Sequence, residues 1–142
     1  MKFRHNPNRE GETVKAKIWF TLVAILALVL VGCRTNPVYN VSGAPVSTST
    51  RSYKQNDVRN AIHQAGVSLG WRMKDVRSGL IIGTLYVRDH MAKVEIPYNR
   101  HTYSILYRDS DNLNYDGVNI HSNYNDWIQN LSTAINARLS VL

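Results

Sequence analysis

The chain has 142 residues, room for one domain of ordinary size, and a formal net charge of +7. Five of its 17 Lys/Arg lie within residues 1–32, and the rest of the chain carries a net of +4 scattered singly, which excludes a phosphate-binding stripe and a nucleic-acid partner with it. The single cysteine excludes an internal disulfide.

Lys15 and Lys17 precede an uncharged apolar run of fourteen residues, Ile18 to Val31, whose last two residues open the stretch Leu30-Val31-Gly32-Cys33. A helix that crosses a bilayer needs about 20 apolar residues, so the run is too short for a span and fits the h-region of a signal peptide. Gly32 leaves the adjacent peptide bond unshielded. Leu-Val-Gly-Cys after a basic segment and a short apolar run resembles the lipobox of bacterial lipoproteins. The resemblance implies a signal peptide over 1–32, cleavage before Cys33, and acyl chains on Cys33 that hold the mature protein to a membrane. One chain binds only marginally, and lipoproteins carry enough chains for stable anchoring. Arg34 stands where members retained at the inner membrane tend to carry Asp, which implies the inner leaflet of the outer membrane, facing the periplasm.

Residues 33–52 are expected to be the lipidated cysteine and a flexible tether. Pro37, Gly43 and Pro45 interrupt regular structure, and the Ser/Thr cluster 47–50 offers little to bury. As a coil this segment would span on the order of 25 Å. An alternative is that Tyr39 and Val41 pair with a sheet edge.

Residues 53–142 are expected to form the folded domain. Asn56 or Asp57 can cap a helix whose apolar positions are Val58, Ile62, Ala65 and Leu69, with Gly70 as its C-terminal cap. A strand over 71–77 closes at Ser78-Gly79. Leu80 to Arg88 is the most strand-like stretch, with Asp89-His90 as the turn after it. From Met91 to Tyr98, Ala92, Val94, Ile96 and Tyr98 alternate with Lys93 and Glu95, which predicts one wet face. Asn99-Arg100 turns the chain into Thr102 to Arg108, with Tyr103, Ile105 and Tyr107 on one face. After a loop over 109–122, Ser122 or Asn123 can cap a final helix with Tyr124, Trp127, Ile128, Leu131, Ala134, Ile135 and Leu139 on one stripe. The predicted fold is α+β: a four-stranded antiparallel meander with both helices on one face and the other face left to water or a partner.

The 109–123 loop is the most oxygen-rich part of the domain. Asn112, Asn114, Asp116 and Gly117 fall at the first, third, fifth and sixth positions of a calcium loop, but Asn123 stands where a bidentate Glu is needed. Asp and Asn in turns more often bond their own backbone. Calcium or a small ligand in this loop is the alternative function. No Gly-x-Ser-x-Gly, no free Cys after acylation and no positioned carboxylate pair occurs, so no enzyme and no cofactor is expected. His63, His90, His101 and His121 lack metal-ligand spacing. Six tyrosines between Tyr86 and Tyr124 combine apolar rings with polar tips and suit a recognition surface or the rim of a core. The candidate interaction surface is Tyr103, Tyr107, Asp109, Asp111, Asp116, His121 and Tyr124.

The pattern helix, Gly70-Trp71, strands, Tyr103-Ser104-Ile105-Leu106-Tyr107-Arg108-Asp109-Ser110 and Ile120-His121 with Tyr124-Asn125 and Trp127-Ile128 is similar to small proteobacterial lipoproteins of unassigned function. The similarity covers residues 56–139 and implies no activity. Together these features lead us to expect a non-catalytic binding or structural module that engages an envelope protein.

Overall fold

A computed structural model describes residues 34–50 and 52–142; the apolar run and Cys33 lie outside the described residues. In chain order the elements are β1 (Thr35–Pro37), β2 (Val41–Pro45), α1 (Gln55–Ser68), β3 (Arg72–Arg77), β4 (Leu80–Val87), β5 (His90–Pro97), β6 (Thr102–Asp111), β7 (Asn119–His121) and α2 (Ser122–Leu139). The main sheet has five antiparallel strands in the order β2-β6-β5-β4-β3, and β1 pairs antiparallel with β7 in a separate two-stranded sheet. The fold is α+β, as expected. Among the described residues no helix is long and apolar enough to cross a membrane.

The strand count is a correction. The segment expected to be a tether supplies β1 and β2, because β6 ends the meander with an unpaired edge that β2 covers. Val41 lies opposite Ile105 and Ala44 opposite Tyr103, and Val41 is buried. Gly43, at φ 61°, takes up the register shift between them, and its N–H donates to Ser104 Oγ at 2.9 Å. Pro45 closes the strand on an edge, where a missing N–H is tolerated.

The meander follows the expected order with shifted turns. The β4–β5 turn is Arg88-Asp89 and not Asp89-His90, with Arg88 at φ 57° and Val87 paired with His90. Asn99 Oδ1 accepts the N–H groups of His101 and Thr102 and shapes the next turn. β6 runs to Asp111, three residues beyond the expected end. Val94 pairs with Tyr107 but Lys93 pairs with Asp109, so Arg108 is the extra residue of a bulge. The bulge sends both Arg108 and Asp109 to the face away from the helices.

Both helices cover the other face, whose strand residues Ile81, Leu85, Ala92, Val94, Ile96, Tyr103 and Ile105 form one buried core with Val58, Ile62, Ile128, Leu131, Ile135 and Leu139. α2 buries Tyr124, Ile128, Leu131, Ile135 and Leu139, a continuous stripe. α1 buries Val58, Ala61, Ile62, Ala65 and Gly66, whereas Leu69, expected on the stripe, is exposed beyond the last turn. Gly70, at φ 83°, closes that turn: its N–H bonds to Val67 O and the Trp71 N–H to Gly66 O. The N-terminal caps differ from expectation. Lys54 precedes α1 and Asp57 accepts its N–H at 2.7 Å, so Asp57 acts from the third helical position. His121 caps α2, its Nδ1 accepting from the Asn123 N–H at 3.3 Å.

Candidate functional site

Alternation and the Arg108 bulge assign the outer face of the main sheet. One row across it reads Lys74, Ile82, Glu95, Leu106, and the next reads Arg72, Thr84, Lys93, Asp109. Ile82 and Leu106 are half-buried under the surrounding long side chains, while Val76 and Tyr86 are more than half exposed. Lys93 Nζ lies 3.5 Å from Asp109 Oδ2, Arg108 pairs with Glu95, and the Arg72 guanidinium stacks over the Tyr86 ring at 5.1 Å. Lys74, Asp75, Val76, Ile82, Lys93 and Arg108 line a shallow groove of about 380 Å³. Lys93 and Arg108 are paired with Asp109 and Glu95, while Lys74 and Arg72 add two further cations to the same rows, so the face keeps a net positive charge around an apolar floor and favours an anionic, partly apolar occupant.

A second constellation joins α1 to β3. Four-residue spacing puts Arg59 and His63 on one face of α1, and both reach Asp75. Arg59 Nε donates to Asp75 Oδ1 at 2.8 Å, Arg59 Nη2 also reaches the carboxylate, and His63 Nε2 lies 3.1 Å from Oδ1. Hydrogen bonding from Arg59, helped by His63, holds the Asp75 carboxyl at about 2. The adjoining cleft, about 490 Å³, is lined by Gln55, Asn56, Arg59, Asp75, Arg77, Ser78 and Tyr98. Sequence reasoning missed this cluster; Arg59-x-x-x-His63 was its one visible sign. Its charges satisfy one another and clamp the helix to the sheet edge.

The loop expected over 109–122 is shorter, because Asp109 to Asp111 belong to β6 and Asn119 to His121 to β7. Its oxygen donors serve turns. Asp116 Oδ1 accepts from the Val118 and Asn119 N–H groups at 2.8 and 2.6 Å, and Oδ2 from Asn119 Nδ2 at 3.0 Å. These bonds, the Asn119 backbone first, hold its carboxyl at about 2. Asn112 and Asn114 take positive φ, and Asn112 Nδ2 donates to Asp89 Oδ2 at 2.6 Å. Among the described residues no three His, Cys, Asp or Glu side chains gather as a metal site.

The seven residues proposed as one interaction surface do not form one. Tyr103 and Tyr124 are core residues, 1% and 0% exposed, because their strand and helix positions face inward. Tyr103 donates to Asn136 Oδ1 at 2.8 Å, while the Tyr124 hydroxyl has no hydrogen-bond partner and burial pushes its pKa up. Tyr107 is half-buried between Tyr115 and Tyr124, its hydroxyl 2.9 Å from Ser110 Oγ. Asp109 and Asp111 are exposed on β6, with Asp109 in the outer-face row, Asp116 is exposed in the loop, and His121 is half-buried at the cap with its ring stacked on His90. The outer sheet face combines exposed charge with the accessible apolar side chains Val76 and Tyr86. Compared with known proteins, the chain matches no family model, no curated protein and no solved structure.

The depressed carboxylates give a pH prediction. Asp75 and Asp116 titrate at about 2 when folded, against about 3.9 in an unfolded chain. Their contribution is therefore present above about pH 4 and is lost as pH falls through the folded values. The thermal midpoint should hold steady at neutral pH and drop between about pH 4 and 2. Asp116→Asn should lower the neutral-pH midpoint and flatten the acid limb, since an amide oxygen is a weaker acceptor for three N–H donors. Circular-dichroism melts of both proteins across that range check it.

Proposed function

We propose that this is a lipid-anchored protein of the bacterial cell envelope, of the small-lipoprotein kind its sequence resembles. Residues 1–32 are removed, Cys33 is acylated, and the domain works in the periplasm at the inner leaflet of the outer membrane. It is a non-catalytic module that binds an acidic segment of an envelope protein on the outer face of the sheet. The observation that supports this most is that face itself, where Lys74, Lys93 and Arg108 ring the apolar floor at Ile82. Complementary charge sets partner choice and the rate of encounter at such a surface.

Anchoring and binding are tested separately. Cys33→Ala should lose the acyl mass and move from the membrane to the soluble fraction, with the domain's melting midpoint unchanged. A variant that stays acylated and membrane-bound overturns the anchor. For the surface, a photo-crosslinking residue at Tyr86 in intact cells should give one discrete adduct joined at an Asp/Glu-rich peptide. Its yield should fall roughly tenfold when Lys74 and Lys93 are both changed to Glu. Recovery of monomer alone, or an adduct indifferent to charge reversal, overturns the partner.

A further inference from the structure

The residue after Cys33 is already part of the fold. The Arg34 carbonyl accepts the Ser122 N–H at 2.9 Å, and Thr35, Asn36 and Pro37 pair with His121, Ile120 and Asn119. The Val38 N–H then donates to Val118 O at 2.9 Å. Asn125 grips the same segment from α2: its Nδ2 donates to Pro37 O and its Oδ1 accepts the Tyr39 N–H, both at 2.9 Å. Residues 34 to 39 are thus fastened along their length to one end of the domain, made of β7, the first turn of α2 and the 112–118 loop. Consecutive Cα atoms are about 3.8 Å apart, so a lipid on Cys33 starts one peptide from this end and leaves no slack for the domain to drift away.

The surface at that end suits the place. Val118, bonded to β1 through its carbonyl, is 67% exposed, and Tyr115, three residues before it, is 41% exposed. Leu113 is buried beneath the loop and its carbonyl takes the His121 N–H, which holds the loop tip in position. The loop's acidic group, Asp116, has both carboxylate oxygens turned to loop N–H groups and the Asn119 amide. Arg34 adds an exposed cation beside the anchor. An apolar side chain, a tyrosine ring and a cation together match the boundary between acyl chains and phosphate headgroups.

Resting on the anchoring proposed above, we infer that Arg34, Tyr115 and Val118 form a phospholipid contact, so that the domain sits directly on the membrane by its β1–β7 end. Cys33 is the chain's one cysteine, and acylation consumes its thiol, so an added cysteine can be labelled alone. The acylated protein with Val118→Cys or Val76→Cys would carry an environment-sensitive fluorophore. Each would be reconstituted in vesicles of phosphatidylethanolamine and phosphatidylglycerol containing nitroxide-labelled lipid, with the acyl mass checked by mass spectrometry. The label at 118 should be quenched severalfold more strongly than the label at 76 on the outer sheet face. Equal quenching at the two positions in acylated protein overturns the contact and leaves the anchor standing. So does a label at 118 that is shielded from water yet not quenched by lipid, which assigns the surface to a second copy of this chain. Absence of the acyl mass overturns the anchor, and this contact with it.

Discussion

A chain that begins at Tyr53 should be less stable than one that begins at Arg34 by roughly 3 kcal/mol, with a melting midpoint about 10–20 °C lower. Were 34–52 a tether, the two would melt together. The difference comes from what the segment covers. Val41 is buried against β6, which carries Tyr103 and Ile105, and burying one such side chain stabilises by about 1.5–3 kcal/mol. Asn40 Oδ1 accepts the Tyr107 N–H at 2.7 Å, the β1–β7 pairing lies beside buried Ile120, and Asn125 loses both of its partners on removal. Each lost hydrogen bond costs on the order of 1 kcal/mol. The ordering entropy that the shorter chain no longer loses offsets much of this sum, which is why the expected net is only a few kcal/mol. Urea and thermal unfolding of 34–142 and 53–142, followed by circular dichroism, measures it. Matching midpoints would show that β1 and β2 add nothing.

What the sequence made legible follows a physical line. α2 and β5 were plain because one buried stripe or face imposes a 3.6 or a 2 period over a whole element. β2 was legible only as the alternative in which Val41 pairs with a sheet edge, because its glycine and proline read as interruptions, whereas an edge strand with a bulge accepts both. Tyr103 shows how a shared face can carry a wrong use: alternation put it on one face with Ile105, which is buried, but its polar tip suggested a surface. The tip is satisfied inside, by Asn136 and Ser132 of α2. The Arg108 bulge has no signature in the local pattern, yet it brings Asp109 out beside Lys93. The Arg59–His63–Asp75 cluster needs α1 and the edge strand to be docked, and no local spacing reveals that docking.

Gly66→Val should destabilise the domain by roughly 2–3 kcal/mol, and shortening Met73 to Ala in the same chain should recover part of that loss. Glycine inside a helix ordinarily costs about 1 kcal/mol against alanine, so its presence in α1 calls for a reason. A Cβ at Gly66 would lie 2.3 Å from Met73 Sδ and 2.8 Å from Cγ and Cε, closer than non-bonded atoms approach. Met73 is flexible and can yield to a single Cβ, so the expected loss comes from the two further methyl groups of valine. A Cβ at Gly83 would lie 3.4 Å from the same sulfur and 3.2 Å from Trp71 Cε3 and Val94 Cγ2, so the thioether runs between two positions that both lack a side chain. Valine's own helix penalty is within a few tenths of a kcal/mol of glycine's, so overpacking accounts for most of the loss. That distinguishes it from Gly66→Ala, where improved helix propensity offsets part of the clash. In a double-mutant cycle over Gly66→Val and Met73→Ala, the coupling should favour the double variant by at least about 1 kcal/mol. Additive losses would mean that α1 and β3 do not meet through this slot. Because the slot lies next to the Arg59–Asp75 clamp along the same helix–strand seam, Gly66→Val should also weaken that clamp and reduce the acid-sensitive part of the stability.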